Sequence, residues 1–372
     1  MTRTLRASLL VFLLFLSPAV AYANAGTPLM WAGMLHLVFG NAIIGLCEGL
    51  LIAWVFKCRK RVAIFLMILA NYFSAWVGGI GVSWLTSEKL SISLYQAWPA
   101  ILLATAATFI VTVILELPFV VICLRKQQHR FRRSFLASLM AQAASYFVIV
   151  PWFLLASGLT LVTKTDVDRS LRFIANPDAL VYFISTDDGN VYRARATGQD
   201  ASQVFGLHST NKNDRLFVRP SADTNYWDLY AFMDEPHPSK GREVLVAKEF
   251  SRHAALSGRD TFNPSEVEGT WFNFGPAADL RPDSERTWTV STGFWAIEGL
   301  YLRNTNTEEK VHLALETPFL NWPIRNATVL PGDEIVFQLD QQICIYNRKQ
   351  NKLGLIMRGR GPVVALENSE TH

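Results

Sequence analysis

The chain has 372 residues, of which 50% are hydrophobic and only 18% are charged, and its formal net charge is +4. This composition is typical of a membrane protein. The long uncharged runs all precede about Val162 and an ordinary polar mixture follows, so the chain is predicted to have two domains.

The N-terminal residues have the pattern of a secretory signal peptide. A positively charged start precedes an apolar run from Leu9 to Leu16, and Ala21 and Ala23 have the spacing of a cleavage site. The run is shorter than the roughly 20 residues that a membrane-spanning helix needs. We therefore predict a signal peptide over residues 1–23, with cleavage at Ala25 or an uncleaved anchor helix as alternatives.

Four longer apolar runs follow, and each can cross about 30 Å of hydrocarbon as a helix. They predict a four-helix transmembrane domain within residues 24–164. The four helices are expected at approximately Leu29 to Phe56, Val62 to Leu85, Ala97 to Leu124 and Phe135 to Val162.

The connections between these helices predict the orientation. Residues 57–61 and 124–134 are strongly basic, whereas the connection between the second and third helices is nearly neutral. Basic loops stay in the cytoplasm, so the C-terminal domain is expected outside. The predicted location is the bacterial inner membrane, with this domain periplasmic or extracellular. Topology and contact with the lipid bilayer explain the basic loops, and nucleic-acid binding is not expected.

The first membrane helix contains three polar residues. Asn41 and Glu48 are seven residues apart and share one helix face. His36 points about 120° away from Glu48 and lies nearer the outer end. An intramembrane enzyme that uses His36 with a carboxylate is therefore the weakest hypothesis.

Each of the four helices places one polar residue at a similar depth. Glu48, Asn71, Glu116 and Gln142 lie roughly 10 to 14 Å from the predicted cytoplasmic ends. A carboxylate at this depth costs about 2.5 to 3.5 kcal/mol, so we expect protonation, hydrogen bonding or a cation to neutralise it. Together with Asn41, which shares the helix face of Glu48, this layer predicts a site for a proton or cation, which two close carboxylates would share.

A second polar stripe lies on the third helix. Thr105, Thr108, Thr112 and Glu116 recur at three- and four-residue spacing, shortly before Pro118. Such a stripe is expected to face protein or water. Broken backbone near a proline at this depth is typical of ion or substrate paths.

The same polar residues have a purely structural interpretation. Asn, Gln, Ser and Thr commonly join transmembrane helices, and a protonated Glu does so for about 1 kcal/mol. Glycines such as Gly45 and Gly49 are expected to allow close helix packing. The sequence leaves both interpretations of the polar layer open.

The chain after the fourth helix is predicted to be a linker, residues 165–177, followed by an extracytoplasmic all-β domain, residues 178–372. The clearest element is a hairpin in LVYFISTDDGNVYRARATG, whose turn at 187–190 tolerates positive φ. Short strands separated by Gly, Asn, Asp and Pro turns predict a propeller or a sandwich. Of the four cysteines only Cys344 is in this domain, so no disulfide framework or Cys-rich metal site is expected.

Two segments of this domain, LVYFISTDDGNVYRARATGQ and DEIVFQLDQQICIYNRKQNKLGLIMRGRGP, resemble blades of the β-propeller repeats found in many periplasmic proteins. The resemblance implies a propeller-like fold. It covers two or three segments and is interrupted between about Asp234 and Arg286, and a sandwich stays the alternative. A propeller by itself implies no particular function.

Motifs of known enzymes are missing from the outer domain: there is no G-x-S-x-G, H-E-x-x-H, P-loop or G-x-G-x-x-G pattern. We therefore predict no enzymatic activity and no cofactor. The favoured hypothesis is a membrane protein that displays its β domain for binding a protein partner or ligand, or for sensing. The alternative is a small ion- or proton-transport subunit that uses Glu48 and Glu116.

Overall fold

The computed structural model describes residues 27–86, 92–223, 225–234, 241–255 and 274–366. The predicted signal peptide, residues 1–23, lies outside these ranges. The chain forms two compact units. The helical unit consists of residues before 92, Pro99–Ser157 and Thr317–Leu320, and the β unit contains the rest.

Among the described residues, four helices are long and apolar enough to cross a membrane, as predicted. The second helix meets this criterion within Lys60–Gly78. We call them the first to fourth membrane helices. They span Pro28–Phe56, Lys60–Thr86, Ala97–Cys123 and Arg130–Ala156.

The first membrane helix has clear local signals at both ends. Thr27 is its N-cap, and the Met30 N–H donates to the Thr27 Oγ1 over 3.1 Å. A π-helical segment, His36–Gly40, interrupts the helix. Its continuation, Asn41–Phe56, ends at Lys57, which has a left-handed backbone conformation (φ 52°) that stops further helical hydrogen bonding.

The fourth membrane helix differs from the predicted range of Phe135 to Val162. It begins five residues earlier, at Arg130, and ends at Ala156. Gly158 then pairs with Glu316, with N–H to O distances of 2.9 and 2.7 Å in the two directions. Since these backbone groups bond to another segment, the apolar residues after 157 leave the helix, and Thr160–Thr163 form a separate short helix.

Two glycines bring the first and second membrane helices into backbone contact. A Cβ atom on Gly45 would lie 2.5 Å from the Ile68 Cα, and one on Gly49 would lie 2.5 Å from the Ile64 Cα. Only glycine permits this approach, and the resulting closeness positions the polar side chains of both helices.

The β unit contains four sheets within the described ranges, and none of them closes into a barrel. The first consists of β2 (Leu180–Ile184), β3 (Val191–Arg195), β4 (Ser202–Phe205) and β17 (Arg360–Ala365). Its strand order is β17-β2-β3-β4, and it contains the predicted hairpin, β2–β3.

The other three sheets consist mainly of sequential antiparallel strands. Their strands are β1 (Asp166–Val167), β5 (Arg215–Pro220), β6 (Trp227–Met233), β7 (Arg242–Ser251), β8 (Gly275–Pro276), β9 (Ala278–Asp279), β10 (Trp288–Thr292), β11 (Leu300–Asn304), β12 (Lys310–Leu313), β13 (Ile324–Leu330), β14 (Glu334–Leu339), β15 (Gln342–Asn347) and β16 (Lys352–Arg358). The strand orders in these sheets are β5-β6-β7, β12-β11-β10-β8 and β1-β16-β15-β14-β13-β9.

Residues 165–177, the predicted linker, contribute structure to the β unit. Asp166–Val167 pair in parallel with β16, and Phe173 and Ile174 are buried in the hydrophobic core. The buried Glu334 carboxylate accepts backbone N–H groups from two residues of the same segment, Ala175 and Asn176, at 2.6 and 3.0 Å. Such contacts explain why the segment is ordered despite its polar sequence.

Candidate functional site

A buried polar cluster lies in the helical unit and receives side chains from all four membrane helices. Its two carboxyl groups are Glu48, which is 2% exposed, and Glu116, which is fully buried. The amides are Asn71 and Gln142, and the hydroxyl groups are Ser74 and Ser145, all of them buried. The structure thus brings together four of the five residues predicted for the polar layer, and the fifth, Asn41, lies outside the cluster.

Glu48 is held by the second and fourth helices. Asn71 Nδ2 donates to Glu48 Oε2 over 2.6 Å and to the Met67 carbonyl over 3.0 Å, so both amide protons are used. The other carboxyl oxygen, Oε1, accepts from the Ser145 hydroxyl and, over 3.4 Å, from Gln142 Nε2. Both oxygens of Glu48 therefore have donors.

Glu116 has the same kind of surroundings. Its Oε1 accepts from the Ser74 hydroxyl over 2.8 Å, and its Oε2 accepts from Gln142 Nε2 over 2.6 Å. Because Gln142 Nε2 also reaches Glu48, one amide nitrogen lies within 3.4 Å of both carboxyl groups. Gln142 therefore links the two carboxyl groups into a single cluster.

The Ser74 hydroxyl has one proton but two acceptors within reach. Its Oγ lies 2.8 Å from Glu116 Oε1 and 3.1 Å from the Asn71 carbonyl oxygen. If Glu116 is ionised, Ser74 donates to it. If Glu116 is protonated, its O–H can donate to Ser74 Oγ, and Ser74 then donates to the backbone carbonyl.

The Ser145 hydroxyl can likewise donate to Glu48 or accept from it. Its Oγ contacts Glu48 Oε1 and lies 3.1 Å from the Ala141 carbonyl oxygen. Each carboxyl group therefore has an amide that always donates and a hydroxyl that either donates or accepts. Either carboxyl group can gain or lose a proton while every polar atom keeps a partner.

The charge balance of the cluster favours bound protons. Among the described residues, neither Glu48 nor Glu116 forms an ion pair with a lysine, arginine or histidine. Two buried negative charges without a counter-ion would cost several kcal/mol each. Uptake of a proton or a cation by the cluster would remove this cost. No group of three or more potential metal ligands occurs in the described part of the chain.

Two other predicted residues of the first helix lie outside this hydrogen-bonded cluster. Asn41 is buried, but its amide donates to the Leu37 carbonyl of its own helix over 3.3 Å. His36 begins the π-helical segment, and its ring packs against Phe153 at a centroid distance of 5.6 Å. Neither residue has a described contact with Glu48.

The threonine stripe is half-buried and mainly satisfies its own helix. Thr105, Thr108 and Thr112 donate to carbonyl groups three or four residues earlier, over 2.8 to 2.9 Å. Thr112 also lies 3.3 Å from the Tyr146 hydroxyl of the fourth helix. Sequence reasoning missed Tyr146, since a lone tyrosine in an apolar helix gives no signal of its own. The third helix continues through Pro118 to Cys123.

Buried arginines in the β unit also escaped the sequence analysis. Arg360 is 6% exposed and donates to the backbone oxygen and hydroxyl of Ser209 at 2.7 and 2.6 Å. Burial lowers the pKa of Arg360 and raises that of Asp214, whose carboxylate accepts from the same serine hydroxyl. These contacts are explained by the packing of β17 against the segment before β5.

No protein-family model and no curated protein matches the sequence. The role of the carboxyl cluster must therefore be inferred from its own geometry and chemistry.

Proposed function

We propose that this is a membrane protein whose helical unit binds and exchanges a proton at the Glu48–Glu116 pair, as one step of a proton pathway. In this proposal the protein lies in a bacterial inner membrane, with the basic loops 57–61 and 124–134 in the cytoplasm. The β unit is displayed on the periplasmic or extracellular side. No enzymatic activity is part of the proposal.

The hydroxyl partner of each carboxyl group is the observation that supports this function. Ser74 and Ser145 can each reverse their role from donor to acceptor when the adjacent carboxyl group takes up a proton. Proton exchange then requires no movement of a helix. A cluster that served only to join helices would need no such reversible partner on both carboxyl groups.

A proton fits the cluster better than a metal cation does. All four carboxyl oxygens already accept a hydrogen bond from an amide or hydroxyl group. A cation would have to displace these donors or turn them, whereas a proton needs only the hydroxyl reversal. A monovalent cation is therefore the second candidate and forms one arm of the test.

Proton flux in sealed vesicles tests the proposal. Purified protein is reconstituted into lipid vesicles that enclose a pH-sensitive dye. An outward potassium gradient with valinomycin makes the interior negative and drives proton entry. We expect Glu48→Gln and Glu116→Gln each to reduce the protein-dependent flux at least tenfold, because glutamine keeps the shape but cannot exchange a proton. Both variants should retain expression and helix content.

Thr105→Val is the matched control, because Thr105 lies on the third helix but donates only to its own backbone. Its flux should stay within twofold of the wild-type value. Wild-type flux in both glutamine variants would contradict the proposal. Sodium entry under the same potential, followed with a sodium-sensitive dye and without a change in internal pH, would replace the proton with that cation.

We further propose that the β unit is propeller-like. The sheets consist mainly of strands that are consecutive in the sequence, and the last strand, β17, pairs with the first long strand, β2. Pairing of an early and a late strand of a β domain in one sheet is how a ring of blades closes. Packing of β17 against both β5 and β13 is consistent with inner strands that surround a common axis.

Partner binding by the β unit is a second candidate function. Phe294, Trp295 and Tyr301 are large hydrophobic side chains that are more than one third exposed. Exposed aromatic residues are enriched where proteins bind one another. Full-length protein purified from its native membrane after mild cross-linking should keep a specific partner, and Trp295→Glu should lose it. The exposed-site control Glu309→Gln should keep it, and equal recovery with both variants would argue against this surface.

A further inference from the structure

Two cysteines from different parts of the helical unit lie side by side. Cys58 follows the first membrane helix, and Cys123 is the last residue of the third. They are 65 residues apart in the sequence, yet their Sγ atoms are 3.3 Å apart. The other two cysteines, Cys47 and Cys344, have no such neighbour among the described residues.

Local structure holds this pair in place. Lys57 has a left-handed backbone that turns the chain immediately before Cys58. The Gln127 amide donates to the Phe56 carbonyl and so ties this turn to the segment after Cys123. Both cysteines are half-buried and pack against the hydrophobic core formed by Ile52, Met67, Ala70, Val120, Leu124, Ala137 and Ala141.

The surroundings of the pair suit thiol chemistry. Basic residues lie close to both cysteines in the sequence. Beside Cys58 they are Lys57, Arg59, Lys60 and Arg61, and after Cys123 they are Arg125 and Lys126. These positive charges attract an anionic small disulfide, such as oxidised glutathione, towards the pair. Because both residues are only partly buried, a small reagent in water can reach them.

We propose that Cys58 and Cys123 form a reversible intramolecular disulfide by exchange with a low-molecular-weight disulfide of the glutathione class. One cysteine thiolate attacks the small disulfide, which gives a mixed disulfide and releases one small thiol. The second cysteine then attacks the protein sulfur of the mixed disulfide and releases the other small thiol. The two cysteines lose two protons and two electrons, and the small disulfide becomes two thiols.

The geometry requires only a small movement. A disulfide has an S–S distance of about 2.05 Å, so the sulfur atoms must approach by little more than about 1 Å. On the side of the basic loops, where thiols are kept reduced, a disulfide is expected to be transient and regulatory. The bond would connect the first helix, which contains Glu48, to the third, which contains Glu116. If the proposed function is correct, oxidation therefore also limits the relative movement of the helices that contain Glu48 and Glu116, and so changes the proton flux.

Thiol trapping of the full-length protein tests the disulfide itself. The protein in native membranes is equilibrated with buffers of increasing oxidised-to-reduced glutathione ratio and then alkylated with a maleimide after denaturation. Peptide mass spectrometry should find Cys58 joined to Cys123, with a loss of two alkylated thiols, and dithiothreitol should restore both. Cys47 and Cys344 should stay alkylated throughout.

The serine variants separate the steps. Cys123→Ser should stop at a glutathione mixed disulfide on Cys58, whereas Cys47→Ser should form the intramolecular bond as the wild-type protein does. Four separately alkylated cysteines at the highest ratio, or mixed disulfides on both cysteines of the wild-type protein, would overturn the proposal. If the proton flux is equal in the oxidised and reduced forms, the disulfide still forms as proposed. Its proposed effect on proton exchange at Glu48 and Glu116 would then be wrong.

Discussion

Deletion of residues 360–372 is expected to unfold the β unit while the four membrane helices persist. The deletion removes β17, which pairs with β2 and contains the buried side chains Val363, Val364 and Ala365. Burial of one valine contributes about 1.5 kcal/mol or more, and the edge of β2 would also lose its hydrogen-bonding partner. The loss of several kcal/mol is comparable with the whole stability of an ordinary domain.

Limited proteolysis of the full chain in detergent measures this result. The wild-type β unit should survive as a resistant fragment, and the fragment should disappear after deletion of 360–372. A shorter deletion, 367–372, leaves β17 complete and is the matched control, for which the resistant fragment should be retained. A resistant β unit without β17 would show that pairing with β2 is dispensable and would also weaken the propeller proposal.

Alanine at Gly45 or Gly49 is expected to destabilise the helical unit more than alanine at any other glycine described in that unit. The new Cβ atom would lie about 2.5 Å from a backbone Cα of the second helix, a distance at which one helix must move. Such overpacking costs about 2 to 3 kcal/mol. Since Glu48 lies between the two glycines, the movement should also break its 2.6 Å hydrogen bond from Asn71.

Two measurements separate the loss of stability from the loss of the hydrogen bond to Glu48. The first is thermal unfolding in detergent, and the second is proton flux in vesicles. Gly45→Ala and Gly49→Ala should both unfold at lower temperature and lose flux. Gly33→Ala and Gly78→Ala are the controls, since no described atom outside the same stretch of helix lies within 4 Å of the added methyl group. Alanine also favours the helix more than glycine does, so the control variants should be at least as stable as the wild-type protein. Unchanged stability of Gly45→Ala would contradict the close approach of the two helices.

Hydropathy and charge were sufficient to predict four membrane helices, because a span of hydrocarbon demands a run of about 20 apolar residues whatever the surroundings. Strand patterns were likewise sufficient for an all-β second unit and for the β2–β3 hairpin, whose turn residues are adjacent in the chain. The end of the fourth helix was misplaced because Gly158 bonds to Glu316, a residue far away in the sequence. Local hydropathy contains no information about such a partner.

The carboxyl cluster was also predictable from the sequence in part only. Helical spacing and depth are local quantities, so the sequence alone could place Glu48, Asn71, Glu116 and Gln142 at one level. Only the tertiary structure decided that Gln142 links both carboxyl groups and that Asn41 donates to its own backbone. A hydrogen bond forms only when donor and acceptor lie about 3 Å apart, and a shift of a few tenths of an ångström weakens it.

Contacts between distant segments could not be predicted from the sequence, for the same physical reason. The pairing of β17 with β2 and the approach of Cys58 to Cys123 both join residues that no turn or helix connects. Composition and periodicity determined which segments leave water and in what regular form. Packing of the whole chain determined which polar atoms meet once they are buried, since a buried group must find its partner wherever the fold provides one.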